Sequence, residues 1–219
     1  MTAVRSPLFI ALVVIFLIIA LFVHLNLFST LDNFIEKIIN NIALNELLLY
    51  FLIIFSSFGE IIYLILASII LTLIRRTRKI GMILMITIIM ITLSITYMKP
   101  IIGHEKPTKS INLTFLPKGY NLEKDSMLPS ATGFSFPSNH VASVTAFCYI
   151  VGFSLSRRVS FMKYIIWLVP IGVMASQLLL YESYFSDVLG GLLFGLILAI
   201  FTSNIMHLEI PFSKERFKK

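Results

Sequence analysis

Charge is scarce in this sequence. Asp, Glu, Lys and Arg make up 13% of its 219 residues, against 58% apolar residues and a mean hydropathy of +0.92. A soluble domain has no means of hiding that much apolar surface, so a polytopic membrane protein is expected. Cysteine occurs once, as Cys148, inside an apolar run; this excludes an intrachain disulfide and leaves the redox compartment unread. The four histidines (His24, His104, His140 and His207) are scattered without ligand spacing, so neither a metal site nor a cofactor is expected. Repeats and low-complexity linkers are lacking too, and a single domain over residues 1–219 is the simplest reading.

What the chain has is long apolar runs. A bilayer core takes about 20 apolar residues per helical span. Six segments qualify, near residues 7–28, 47–74, 80–98, 139–156, 161–181 and 184–206, which predicts an all-α bundle of six transmembrane helices. The first run is too long for a cleavable leader, and Phe22-Val23-His24-Leu25 offers no small-residue cleavage site.

The net charge of +7 does not point to nucleic acid, because its distribution follows the membrane. Arg5, Arg75, Arg76, Arg78, Lys79, Arg157, Arg158, Lys163, Lys214, Arg216, Lys218 and Lys219 place twelve of 18 basic residues on one side. The positive-inside rule then puts both termini in the cytoplasm of an integral cell-membrane protein. Lys37, Lys99, Lys106, Lys109, Lys118 and Lys124 lie on the other side, mixed with most of the acids.

Two stretches outside the spans stand out. Residues 31–43 are short and amphipathic, with Leu31, Phe34, Ile35, Ile38 and Ile39 on one side, which suits a helix lying along the outer interface. Residues 99–137 carry five prolines and read as a long external loop; a polar insert of that length is commonly functional.

Three clusters meet this external side: "KPIIGHEKP" (Lys99–Pro107), "PSNH" (Pro137–His140) and "SQLLLYESYFSD" (Ser176–Asp187). A span beginning at Ser138 or Asn139 leaves unpaired N–H groups at a positive dipole end, which is a ready cradle for phosphate. Lys99 and Lys106 can add two cations, Ser138 and Asn139 can donate hydrogen bonds, and His140 can protonate a leaving oxygen. The plainer account is that the lysines snorkel and Ser138 caps its helix.

Together the clusters resemble the type 2 phosphatidic acid phosphatases, relatives of the vanadium haloperoxidases. That family carries Lys-x6-Arg-Pro, Pro-Ser-Gly-His and Ser-Arg-x5-His-x3-Asp. Here stand Lys99-x6-Lys106-Pro107, Pro137-Ser138-Asn139-His140 and Ser176-Gln177-x5-Ser183-x3-Asp187, with order and internal spacing kept. "SDVLGGLLFG" (Ser186–Gly195) is similar to the family's sixth span. The resemblance implies a six-span lipid-phosphate phosphatase fold with its site on the outer face. It implies His140 as general acid, Asp187 as the carboxylate that orients a nucleophilic imidazole, and a phosphate cradle of Lys99, Lys106, Ser138, Asn139 and Gln177.

The departures fall on the chemistry. Ser183 stands at the nucleophile's position, so Asp187 is expected to have no imidazole to orient. Lys106 and Gln177 replace two arginines, losing the bidentate fork at one and the charge at the other. Asn139 replaces a glycine whose bare backbone lets phosphate approach. Two readings stay open: an eroded site, a pseudoenzyme that binds isoprenoid or glycerolipid phosphates at the outer leaflet or serves as a subunit among membrane-protein partners, and a live phosphatase. For the live enzyme Ser183 needs a base; Asp187, one helical turn on, or His140 are the candidates. A third reading centres on Glu60, a carboxylate inside span two, as the focus of a small transporter. Gly191 and Gly195 read as a close-packing face, Tyr181 and Tyr184 as interfacial anchors.

Overall fold

The computed structural model describes residues 4, 6–43, 45–108, 133–156 and 161–208. Most of the expected 99–137 loop and most of the basic clusters at residues 157–163 and 214–219 fall outside the described residues. Among these residues the chain is helical, apart from one isolated antiparallel bridge between Glu105 and Phe134.

Each helix begins where the local chemistry allows it. In α1 (Pro7–His24), Pro7 fits the first turn and Ser6 caps it, its Oγ accepting from Phe9 N at 3.3 Å. The amphipathic stretch forms α2 (Ser29–Asn40), whose Leu31, Phe34 and Ile38 stay exposed while Asp32 turns inward. α3 (Glu46–Phe58) is capped by Asn45, which accepts from Leu48 N at 2.8 Å. α4 follows over Ile61–Leu73 and α5 over Arg78–Ile102. α6 (Asn139–Ser156), a four-residue α7 (Met162–Ile165), α8 (Leu168–Leu179) and α9 (Phe185–Ile205) complete the bundle.

Two expectations need correction. Span two is not one helix: α3 and α4 meet at a 54° bend across Gly59 and Glu60. The third span does not stop at residue 98. Despite Pro100, α5 continues to Ile102 and ends on Gly103 in the left-handed region (φ 73°), whose N–H bonds Lys99 O at 3.0 Å. Lys99 is therefore a buried residue of the last helical turn, not a loop residue.

The core runs between α1, α5, α6 and α9, through Phe16, Ile88, Ile95, Ala142, Ile150 and Phe194. α9 approaches α6 closely because Gly191 and Gly195 present no side chain there. A Cβ on Gly191 would lie 2.5 Å from Ser138 O, and one on Gly195 would lie 2.3 Å from Ala142 O. Thr87 and Thr202 tie α5 to α9 with a hydroxyl pair at 2.7 Å. Leu17, Leu47, Ile62, Leu73 and Ile101 are all more than half exposed, as lipid-facing positions require. Among the described residues three helices, α1, α5 and α9, are long and apolar enough to cross a bilayer, and the bent α3–α4 pair passes the same test when its two helices are counted as one span; α6 and α8 are apolar but shorter.

Candidate functional site

The three sequence clusters meet at one end of the bundle, joined by hydrogen bonds. Residues 103–107 and 133–136 run side by side. Ser135 N bonds His104 O at 2.8 Å, Lys106 N bonds Gly133 O at 3.2 Å, and Ser135 Oγ lies 3.1 Å from the carbonyls of His104 and Glu105. This pairing fixes the turn that follows α5. It delivers the His104 side chain to α9, where His104 Nδ1 lies 2.8 Å from Asp187 Oδ1.

The expectation that Asp187 lacks an imidazole is thus overturned. Position 183 supplies none, but the first cluster does. The carboxylate is held on its other oxygen as well: Asp187 Oδ2 accepts the N–H of Tyr184 at 2.7 Å, closing the first turn of α9. The Asp187 carbonyl accepts from Ser138 N at 3.0 Å, which joins the second cluster to the third. Asp187 itself is fully buried, while the His104 side chain keeps 13% of its surface exposed. The Tyr184 ring packs against it with centroids 5.2 Å apart. Tyr184 is thus part of the site's wall and not simply an interfacial anchor.

Burial disfavours the charged form of His104, but the hydrogen bond and charge of Asp187, with Asp32 behind them, outweigh it and raise the imidazole above its ordinary value. Asp32 reaches the same neighbourhood from α2. Its oxygens accept Ser186 N at 2.9 Å and Ser186 Oγ at 2.7 Å, so the interfacial helix is pinned to the start of α9. Burial raises the Asp32 carboxyl above the usual range even against those two bonds. Burial raises the Tyr184 phenol as well, aided by surrounding carboxylates.

Gln177 organises the other half of the site. It is fully buried, and its amide oxygen accepts from Ser183 Oγ at 3.2 Å and Ser138 Oγ at 3.5 Å. Its amide nitrogen donates to Glu182 and, at 3.3 Å, to Ser56 Oγ. Both donors of the amide are committed inside the protein, so none is left to offer a phosphate oxygen. Ser183 does not pair with Asp187. Its hydroxyl proton points at an amide oxygen, which is no base, and it borders a slot of about 10 Å³ with room for about one water.

Lys99, Ser138, Asn139 and His140 are all buried at this end. His140 lies in the first turn of α6 and packs against the broken span. A Cβ on Gly59 would come 2.7 Å from His140 Cβ and 2.8 Å from its Cδ2, so the glycine makes room for the imidazole. Glu60, half-buried at the start of α4, is the neighbour of that glycine. Lys106 is half-buried beside the exposed Glu105. Next to His104 opens a cavity of about 310 Å³, bordered also by Asn26, Ser29, Asn33 and Tyr184 and carrying the carboxylates of Asp32 and Glu105. No cluster of three or more His, Cys, Asp or Glu suited to a metal occurs among the described residues.

The model of the PAP2 superfamily matches residues 80–211, more than half of the chain. The chain belongs to the PAP2 superfamily. The match begins in α5 and spans all three clusters. The fold agrees. The crystal structure of the first transmembrane PAP2 type phosphatidylglycerolphosphate phosphatase from Bacillus subtilis superposes with a TM-score of 0.72 at 20% identity. The superposition covers 96% of this chain and 98% of the other. No curated protein sequence matches the chain. This PAP2 protein shares its fold with a transmembrane phosphatase, and its long apolar helices make it an integral membrane protein.

At this PAP2 site the parts played by His104, Asp32, Ser135 and Glu182 are not read from the sequence, and Tyr184 reads there as an interfacial anchor. A signal for His104 existed: it sits inside the Lys99–Pro107 cluster, within reach of any group that cluster serves.

Proposed function

We propose that this PAP2 protein has six spans with cytoplasmic termini, and that it takes up the phosphate headgroup of a glycerolipid or isoprenoid phosphate at the outer face. The third-cluster positions 177 and 183 no longer do the family's chemistry. The observation that carries the reading is the chain of bonds running from His104 through Asp187 and Ser138 to Gln177 and Ser183. It draws the three clusters to one place while using up the Gln177 donors. Lys99 and Lys106 remain as the cationic side of the cradle, and the start of α6 adds its dipole.

Replacing the family arginine with a neutral amide predicts weak, phosphate-dependent binding. The test is titration of the purified protein in micelles with dihexanoyl phosphatidic acid and with dihexanoyl phosphatidylcholine. The phosphomonoester should bind and the choline ester should not. Lys99→Ala removes a charge-assisted contact of about 1.5–3 kcal/mol, so affinity should fall roughly 10- to 100-fold. Equal binding of the two lipids, or affinity unchanged in both Lys99→Ala and Lys106→Ala, overturns the reading.

A further inference from the structure

We propose that His104 is a catalytic nucleophile, attacking phosphorus with its Nε2 while Asp187 holds its Nδ1. The inference rests on the headgroup reading above and adds a reaction to it. Three observations carry it. The buried Asp187 carboxylate bonds Nδ1 at 2.8 Å, which sets the tautomer that leaves the Nε2 lone pair available. His104 stands beside a cavity of about 310 Å³, within the size range of small-ligand pockets. The competing hydroxyl is disqualified by its surroundings, since Ser183 donates to Gln177 and borders a space for about one water.

An imidazole oriented by a buried carboxylate and bordering an open cavity is an arrangement that suits a reactive histidine. The ring is also braced by its neighbours. The hydrogen-bonded segments 103–107 and 133–136 fix its backbone, and the Tyr184 ring packs against it at a tilt.

The step balances with water as the second reactant. The Nε2 lone pair of neutral His104 forms a bond to phosphorus, and the P–O bond to the lipid alcohol breaks. The departing oxygen takes a proton from water. Asp187 stabilises the positive charge on the phosphorylated ring through the Nδ1–H bond. A water molecule then attacks phosphorus, the P–N bond breaks, and inorganic phosphate leaves with the neutral imidazole restored. Asp32 and Glu105 on the cavity wall oppose a dianion; Asp32 is committed to Ser186 and held toward its neutral form. Slow turnover follows, not absence of turnover.

The experiment uses the full chain in vesicles containing phosphatidic acid labelled in its phosphate. It is quenched in alkali during turnover, and the labelled peptide is mapped by mass spectrometry. A base-stable, acid-labile phosphoryl group on His104 is the expected result. His104→Gln keeps a donor for Asp187 but has no nucleophilic nitrogen, so phosphate release should fall about 10³-fold while the protein stays folded. Label on His140 or Ser183, or release that survives His104→Gln, overturns the proposal. Headgroup binding without any label or release also overturns it while leaving the binding reading standing. Absence of headgroup binding sinks both.

Discussion

Gln177→Leu tests whether the family arginine's position is closed. The substitution keeps the side chain's volume and removes its amide. It leaves the hydroxyls of Ser56, Ser138 and Ser183 and the carboxylate of Glu182 without the bonds that Gln177 supplies. Hydrogen bonds between helices in membrane proteins average about 0.6 kcal/mol. A bond to a charged group contributes about 1.5–3 kcal/mol, so Glu182 dominates and the whole loss should reach roughly 3–5 kcal/mol. Thermal unfolding in micelles reads it, and a double-mutant cycle with Ser183→Ala isolates one bond. Because the Ser183 hydroxyl and the Gln177 oxygen are in direct contact, the pair should couple by about 0.5 kcal/mol or more. A Gln177→Leu protein within about 0.5 kcal/mol of wild type, with no coupling to Ser183, would refute the reasoning. It would show an amide free to face a ligand.

Three further outcomes follow from the same geometry. For topology, in a background where Cys148 is replaced by Ala, an impermeant thiol reagent applied outside intact cells should modify a Cys at the exposed Asn41 and spare one at the exposed Arg76; the reverse pattern would invert the orientation. For pH, His104 is raised above 6.5, so its charged pairing with Asp187 contributes stability fully below the unfolded value and loses it as pH rises through the folded one. The neutral ring needed for attack follows the opposite course, so phosphate release should climb with pH above 6.5 while that share of stability declines; release that peaks below 6.5 contradicts the assignment. For the α2 anchor, Asp32→Ala orphans Ser186 N–H and should cost about 1–3 kcal/mol, whereas Asp32→Asn keeps an acceptor, drops the buried charge and should cost less than the alanine change in a melting experiment.

Much of the fold was legible because hydrophobic run length is a strong signal in a membrane protein. Composition and the motif spacing of the three clusters located the family and brought the right segments together. What stayed hidden is local. Nothing in the span-two run, apolar on both sides of Ser56-Ser57-Phe58-Gly59-Glu60, announces a 54° bend, nor that Gly59 there leaves room for His140. Pro100 reads as a helix terminator, yet a proline in the last turn removes only one hydrogen bond, and the left-handed Gly103 three residues on is the true end. The pairing of residues 103–107 with 133–136 joins segments about thirty residues apart in sequence, and no periodicity encodes it.

The same hidden pairing decides how the substituted site should be understood. Read position by position, Ser183 is a deletion: the residue that ought to meet Asp187 is gone. Read in space, Asp187 has a partner, because an imidazole 83 residues earlier in the chain reaches its carboxylate at 2.8 Å. Gln177 and Ser183 then look less like decay than like one repacked unit, in which amide, hydroxyls and Glu182 satisfy one another without an arginine. Restoring the family residues singly should therefore damage the protein. An imidazole at position 183 would compete with His104 for Asp187 in a space that holds about one water, and a guanidinium at 177 would be driven into a buried network built for an amide. If Ser183→His alone gave faster phosphate release than wild type, with His104 dispensable, the site would be a family site with one residue missing. If it slowed release and lowered the melting temperature, the dyad would have moved to His104.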